Sequence, residues 1–266
     1  MLDVHKSVLA INKMKCLFCQ QDGPYSTVEH IIPESLWNTH ILLFEHVCDT
    51  CQSYFGKEVE QYVLRRSPIG AWRVFASIET KHGNTPKFSF QQPRRDKGRL
   101  SDWHTANDDS VTLYSKQDGQ REFCIDDEEV HKMIAVGSKT DFKLVLTSKM
   151  LHMMGRFLGK VGLEMLARDY PEVARHSRFN QMRQFARFGQ PVGFLWPIFH
   201  GSTGGPPAAN PCEVSVLDSN ANKKITYTLC ILTLGPECWI TCLNDPYPTP
   251  EIRRSFPGVE IQALTY

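Results

Sequence analysis

Two Cys-x-x-Cys pairs, Cys16/Cys19 and Cys48/Cys51, fall within the first sixty residues of this 266-residue chain and enclose Glu29-His30-Ile31-Ile32-Pro33. Each pair wraps two sulfurs around one metal, and two pairs make a tetrahedral thiolate set for Zn²⁺ with bonds of about 2.3 Å. The enclosed acid and histidine are not needed for that job. A carboxylate beside an imidazole is what a second, hydrolytic metal site uses: an oxygen ligand for a hard divalent ion and a proton acceptor with a pKa near neutrality.

The order and context of these residues carry a resemblance. Cys16-Leu-Phe-Cys19, Glu29-His30-Ile31-Ile32-Pro33-Glu34-Ser35-Leu36 and Val47-Cys48-Asp-Thr-Cys51 resemble the four-cysteine, zinc-containing branch of the HNH endonuclease family, over roughly residues 12 to 66. The resemblance implies a ββα-metal fold, in which a strand carries the acid and the histidine, a second strand returns, and a helix beginning at the last cysteine pair closes the site. It implies His30 as the general base, Glu29 as ligand to a catalytic Mg²⁺ or Mn²⁺, and the residue after Cys51 as the other ligand. That residue is Gln52, where the family has Asn or His. The family's middle Asn is also missing, since Leu42-Leu43-Phe44-Glu45 fills its region; Asn38, His40 and His46 are the substitutes at hand.

These groups need elements to hold them. Thr27 to Ile32 reads as a β-branched strand stopped by Pro33, His40 to Val47 as a second strand, and Asn12 to Cys16 as a short strand feeding the first knuckle. Asp49 or Thr50 is placed to cap a helix reaching Arg66 and ended by Pro68. On that helix Phe55, Val59, Tyr62 and Val63 recur at helical spacing and should pack on the strands, leaving Lys57, Arg65 and Arg66 outward. So small a unit has too few core residues to hold alone, and zinc supplies folding free energy.

Beyond it the expectation is an α+β protein: a zinc-stapled ββα-metal unit over 1–66, a strand-rich connection over 67–140, and a mixed body over 141–266 with one long helix and an antiparallel C-terminal sheet. Ala71 to Glu79 and Lys87 to Gln91 read as strands, and residues 108–114 and 120–125 as a hairpin. Arg94 and Arg95 lie in a basic loop, read either as a solvated hairpin tip or as a phosphate contact. The long helix, Asp141 to Tyr170, puts Lys149, His152, Arg156 and Lys160 on one stripe and Leu151, Met154, Leu158, Val161 and Met165 opposite. Residues 141–190 carry nine Lys and Arg against four Asp and Glu, so the stripe reads as a solvated face or as one facing DNA. Gly155, Gly159 and Gly162 on a third side imply the close approach of another backbone.

Composition sets the frame. Hydrophobic residues make up 41% and charged residues 22%, near globular averages. No apolar run approaches the ~20 residues that cross a bilayer, and no charged-then-apolar leader opens the chain, which points to a cytoplasmic protein whose nine cysteines are not disulfide-paired. Cys124, Cys212, Cys230, Cys238 and Cys242 then read as small buried hydrophobes. Net charge is +1, from 30 basic and 29 acidic residues, so any nucleic-acid contact must be a local face. Two functions stand on these residues. One is a metal-dependent DNA endonuclease, of a kind the family implies for restriction, mobile-element or anti-phage systems. The other is a non-catalytic zinc-stapled binding or assembly module. In either, the C-terminal region is left to hold DNA, a protein partner or a second copy.

Overall fold

The structure is a computed structural model that describes residues 14–38, 40–75, 78, 147–202, 212–222, 225–235, 237–249, 251–252 and 260–264. Arg94, Arg95, Cys124 and the strands expected over 87–125 lie outside the described residues.

The amino-terminal unit is a minimal ββα arrangement. Strands β1 (Glu29–His30) and β2 (Leu42–Leu43) pair antiparallel, with Glu29 opposite Leu43 and His30 opposite Leu42. The strands are shorter than expected because Pro33 stops the first and a tight loop precedes the second. Asn38 braces that loop, its side-chain oxygen accepting from His40 N at 3.2 Å and Ile41 N at 2.9 Å. Of the three substitutes named above, Asn38 is the buried one in the interstrand loop, whereas His40 is exposed and His46 faces Arg175.

A continuous helix follows in three parts: α1 (Asp49–Tyr54), a wide π-turn (Phe55–Glu60) and α2 (Gln61–Arg66). Its N-cap is Cys48, not Asp49 or Thr50. The Asp49 carboxylate is drawn sideways instead, accepting from Ser26 N at 2.9 Å and Thr27 N at 3.2 Å, so it ties the helix start to the loop before β1. Phe55, Val59 and Val63 are fully buried, as their spacing predicts, and Phe18 meets Phe55 edge-on at 4.6 Å between centroids. Pro68 ends that helix and opens another, α3 (Pro68–Phe75), where a strand was expected. Proline suits the first turn of a helix. Extended Ser67 (φ −121°, ψ 167°) sets the corner while its hydroxyl donates to Val63 O at 2.7 Å.

The body is built on α4 (Ser148–Asp169), N-capped by Thr147, whose hydroxyl accepts from Met150 N at 3.2 Å. Short α5 (Pro171–Ala174) and then α6 (Asn180–Phe188) fold back on it. A five-stranded antiparallel sheet completes the body. Its strands are β3 (Ile198–Ser202), β4 (Cys212–Asn222), β5 (Ile225–Leu234), β6 (Glu237–Cys242) and β7 (Glu260–Ala263), in the order β4-β5-β6-β3-β7. The glycines of α4 admit side chains rather than a second backbone. A Cβ on Gly159 would stand 2.2 Å from Met182 Sδ of α6, and one on Gly162 would stand 2.6 Å from Cys230 Cβ of β5.

α4 is not an amphipathic surface helix. It is the central rod of the described structure, buried on nearly every side from Met150 to Ala167. Its apolar sides pack on α6 and the sheet, and its polar stripe packs on the amino-terminal unit. One hydrophobic cluster therefore runs from Leu17, Ile31 and Phe55 through Met154 and Val161 to Leu232 and Trp239. Cys212, Cys230, Cys238 and Cys242 are buried free thiols in this core or its neighbour. Burial alone pushes the Cys230 thiol up to about 12, so it behaves as an apolar group. No described helix is long and apolar enough to cross a membrane.

Candidate active site and zinc cluster

The four sulfurs of Cys16, Cys19, Cys48 and Cys51 lie within 4.8 Å of one another, three of the four residues being buried. Cys19 Sγ and Cys48 Sγ are 3.7 Å apart. A tetrahedron with metal–sulfur bonds of about 2.3 Å has edges of about 3.8 Å, so the donor set fits one Zn²⁺. Without a cation the sulfurs cannot all be thiolates. Hydrogen bonding from Cys51, opposed by burial, holds Cys16 down at about 4, while burial pushes Cys48 up to about 11. Gly23 makes room for the second knuckle: a Cβ there would stand 2.4 Å from Cys48 Cβ.

The cleft beside this cluster has a volume near 700 Å³ and is lined by β1, the turn after it, the helix from Gln52 to Arg65, and Arg73. Glu29 and His30 both open on it, as do Glu34, Lys57 and Glu60. Both line the cleft, but to different depths. Glu29 is nearly buried, with 7% of its surface exposed. Burial pushes its carboxyl up, against the opposing pull of the Lys160 ammonium. Its Oε1 accepts from Lys160 Nζ at 2.7 Å, and Oε2 makes no hydrogen bond within the described residues. His30 is about one-third exposed, with Nε2 3.4 Å from Glu34 Oε1. Its Nδ1 is buried and lacks a protein partner among the described residues.

Gln52 lines the same cleft with its carboxamide already engaged. Nε2 donates to Val47 O at 3.0 Å and Thr27 O at 3.2 Å, and Oε1 accepts from the Thr27 hydroxyl at 2.6 Å. That hydroxyl also lies 2.9 Å from Asp49 Oδ1, one proton between two acceptors. Gln52, which lines the cleft, is thus a clasp between the helix and the approach to β1.

The cationic stripe of α4 is resolved differently from its expected role. Lys149 is exposed, its ammonium 5.7 Å from the Tyr62 ring centre. His152 is half-buried and bonded to Phe194 O at 2.9 Å. Arg156 and Lys160 face neither solvent nor a phosphate, because the amino-terminal unit packs over them. Arg156 donates to Ala186 O and Arg187 O, each at 3.0 Å, closing the last turn of α6, and to the Tyr54 hydroxyl at 2.6 Å. Lys160 is fully buried among Glu29 at 2.7 Å, Glu60 at 2.8 Å and Glu164 at 3.0 Å. Burial alone would lower its pKa; the carboxylates outweigh it and hold it well above the ordinary lysine value. Burial drives Glu164 well above the usual carboxylate range. The sequence signal for this cluster was present but ambiguous. A lone lysine inside an apolar helix reads the same whether its stripe meets water or a partner carrying acids.

Three residues outside the motif complete the surroundings. Glu60 projects from the π-turn into the cleft. Arg73 of α3 reaches the same cleft from a buried position, its Nε without a partner among the described residues. Arg187 of α6 donates to Cys51 Sγ at 3.2 Å and lies 3.8 Å over the Tyr54 ring.

Residues 16–67 match the family model described as HNH endonuclease. No curated protein and no solved structure matches the chain. The amino-terminal segment is thus similar to HNH endonucleases and carries a four-cysteine cluster, within an α+β chain whose body lies outside the match.

Proposed function

We propose that the cleft hydrolyses DNA phosphodiester bonds with the aid of a Mg²⁺ or Mn²⁺ ion. The observation that carries this reading is the placement of Glu29 and His30 side by side on β1, at the mouth of a cleft floored by the helix that leaves the zinc cluster. His30 acts as the general base through its partly exposed ring, and Glu34 beside Nε2 steadies the ring and its developing charge. Glu29 offers Oε2 to the cation, with Gln52 Oε1 as a subsidiary ligand. Such a cation, once bound, neutralises the crowded phosphate and the leaving oxygen.

The phosphate contacts are reassigned. Lys57 and Arg65 on the cleft wall, with Arg73 behind them, take the role first read into Arg156 and Lys160. A local trio suits a chain of net charge +1, since the binding free energy comes from the few cations that meet phosphates. The zinc cluster is structural. A plasmid-nicking assay on wild type and His30→Ala, with Mg²⁺, Mn²⁺ or EDTA, tests the assignment. Metal-dependent loss of supercoiled plasmid, absent in the variant, is the expected result, and equal cleavage by both proteins sinks it.

A second reading is a nucleic-acid-binding module without catalysis. The engagement of Gln52 with Thr27 and Val47 favours it, since the family's second ligand position is spent on a structural clasp. Salt-sensitive DNA binding with no cleavage under any metal is its signature.

A further inference from the structure

We propose that Lys160 is a positioning residue of the hydrolytic site, so that the family segment becomes a working centre only when the body helix α4 delivers this ammonium beneath Glu29 and His30. The inference rests on the nuclease reading and extends it to a residue far outside the matched segment.

Strand β1 is two residues long, with two ladder partners, Leu43 and Leu42. A ribbon that short cannot fix the direction of a side chain by its own hydrogen bonds. Lys160 supplies what the ladder lacks. Besides Glu29 Oε1 at 2.7 Å, its Nζ lies 3.2 Å from His30 O and 3.2 Å from Ile31 O, gripping the backbone on the carboxyl side of the histidine and of the residue after it. One ammonium thus holds both the carboxylate and the peptide that aims the imidazole. It also occupies Oε1, so Glu29 is left to meet a cation with Oε2 alone.

Stability by itself does not account for the arrangement. An ammonium has three protons, and here five oxygens compete for them. Two of the three carboxylates come from the family segment, Glu29 and Glu60, and the third from α4 itself, Glu164. A buried ionic cluster of this kind is generally no more stabilising than well-packed apolar residues of the same volume. Its geometric effect is specific: it pins the two residues that would carry the chemistry to the buried central helix of the described body.

The test uses the full, zinc-loaded chain and the double variant Lys160→Met with Glu164→Gln, which removes the ammonium together with the α4 acid. Three quantities are read: thermal unfolding, Mn²⁺ binding by electron paramagnetic resonance, and single-turnover plasmid cleavage at saturating Mn²⁺. The expected result is cooperative unfolding with zinc retained and Mn²⁺ bound as tightly as in wild type or more so, since Glu29 is freed. Cleavage slows by about 10²-fold, the cost of a reacting group displaced by about an ångström. That split between metal affinity and rate is what a merely structural lysine would not produce. An unchanged rate overturns the proposal, as does a parallel fall in melting temperature, Mn²⁺ affinity and rate. Should the double variant fail to fold, adding Glu60→Gln leaves Glu29 the one charge of the cluster and carries the same prediction. A wild-type chain that neither binds Mn²⁺ nor cuts overturns the nuclease reading itself, whereas a double variant that cuts as fast as an active wild type overturns this inference alone.

Discussion

Arg187 donates from Nε to Cys51 Sγ at 3.2 Å and places its guanidinium 3.8 Å over the Tyr54 ring. A four-thiolate zinc centre carries two net negative charges, and a cation donating to one sulfur offsets part of them. The body therefore reaches the amino-terminal unit at the cysteine cluster through Arg187 as well as at the cleft through Lys160.

His30→Ala is expected to lower cleavage by about 10²–10⁴-fold, the usual contribution of a general base. Melting temperature and zinc content should stay near wild-type values, because His30 is no part of the cysteine set and its one described ion-pair partner is Glu34. Plasmid nicking paired with metal analysis checks both halves.

Cys48→Ser removes one sulfur from the set while leaving a residue suited to the N-cap of α1, so its effect reports on the metal site. The amino-terminal unit shares its hydrophobic cluster with α4, so loss of the metal should loosen the body as well as the knuckle. Near-ultraviolet circular dichroism of the variant, or of wild type after chelation, should show lost tertiary signal; a native spectrum without zinc refutes a structural site.

Gln52→Asn restores the family's residue but shortens the clasp by one methylene. The bonds to Thr27 O and Val47 O cannot both be kept, and a loss of about 1–2 kcal/mol is expected from urea unfolding. Cleavage that nonetheless rises would identify this position as a metal ligand.

The expected salt dependence follows the reassigned cations. Lys57→Ala with Arg65→Ala should reduce the slope of log affinity against log salt by about 2, roughly one per phosphate contact. Arg156→Ala should leave that slope alone and destabilise the fold by about 2–4 kcal/mol, since it strips the partner from Ala186 O, Arg187 O and the Tyr54 hydroxyl.

Glu164 gives a pH signature. Its carboxyl is held well above the usual value, chiefly by burial, so the folded protein binds a proton that the unfolded chain releases above its ordinary carboxylate pKa. The unfolded state then binds fewer protons, and stability must fall as pH rises from about 4.5 toward the raised value. Glu164→Gln removes the titrating group and should flatten that decline; denaturant unfolding at a series of pH values reads it directly.

The motif was legible because metal chemistry constrains residue type and spacing tightly. Cys16, Cys19, Cys48 and Cys51 assemble as their spacing requires, and Phe55, Val59 and Val63 face inward as a period of 3.6 dictates. The orientation of α4 was not legible. Arg156 and Lys160 repeat at helical spacing whether their face meets water, phosphate or an acidic neighbour, and that neighbour, Glu29 with Glu60, lies a hundred or more residues away in sequence. Local pattern also misread Ala71 to Phe75, whose β-rich composition gave way to the helix-opening geometry of Ser67 and Pro68. Gln52 matches a ligand position in sequence; only the Thr27 and Val47 contacts reveal its clasping role.

The wide turn between Phe55 and Glu60 acts as a one-residue insertion in a regular helix. An α-helix advances about 100° per residue, so everything beyond the insertion is turned by that angle relative to an uninterrupted rod. Alignments that count positions onward from Cys51 through straight helical homology will therefore be out of phase by the time they reach Glu60. The residue opposite Lys160 in a related chain should be sought one place earlier wherever the wide turn is missing.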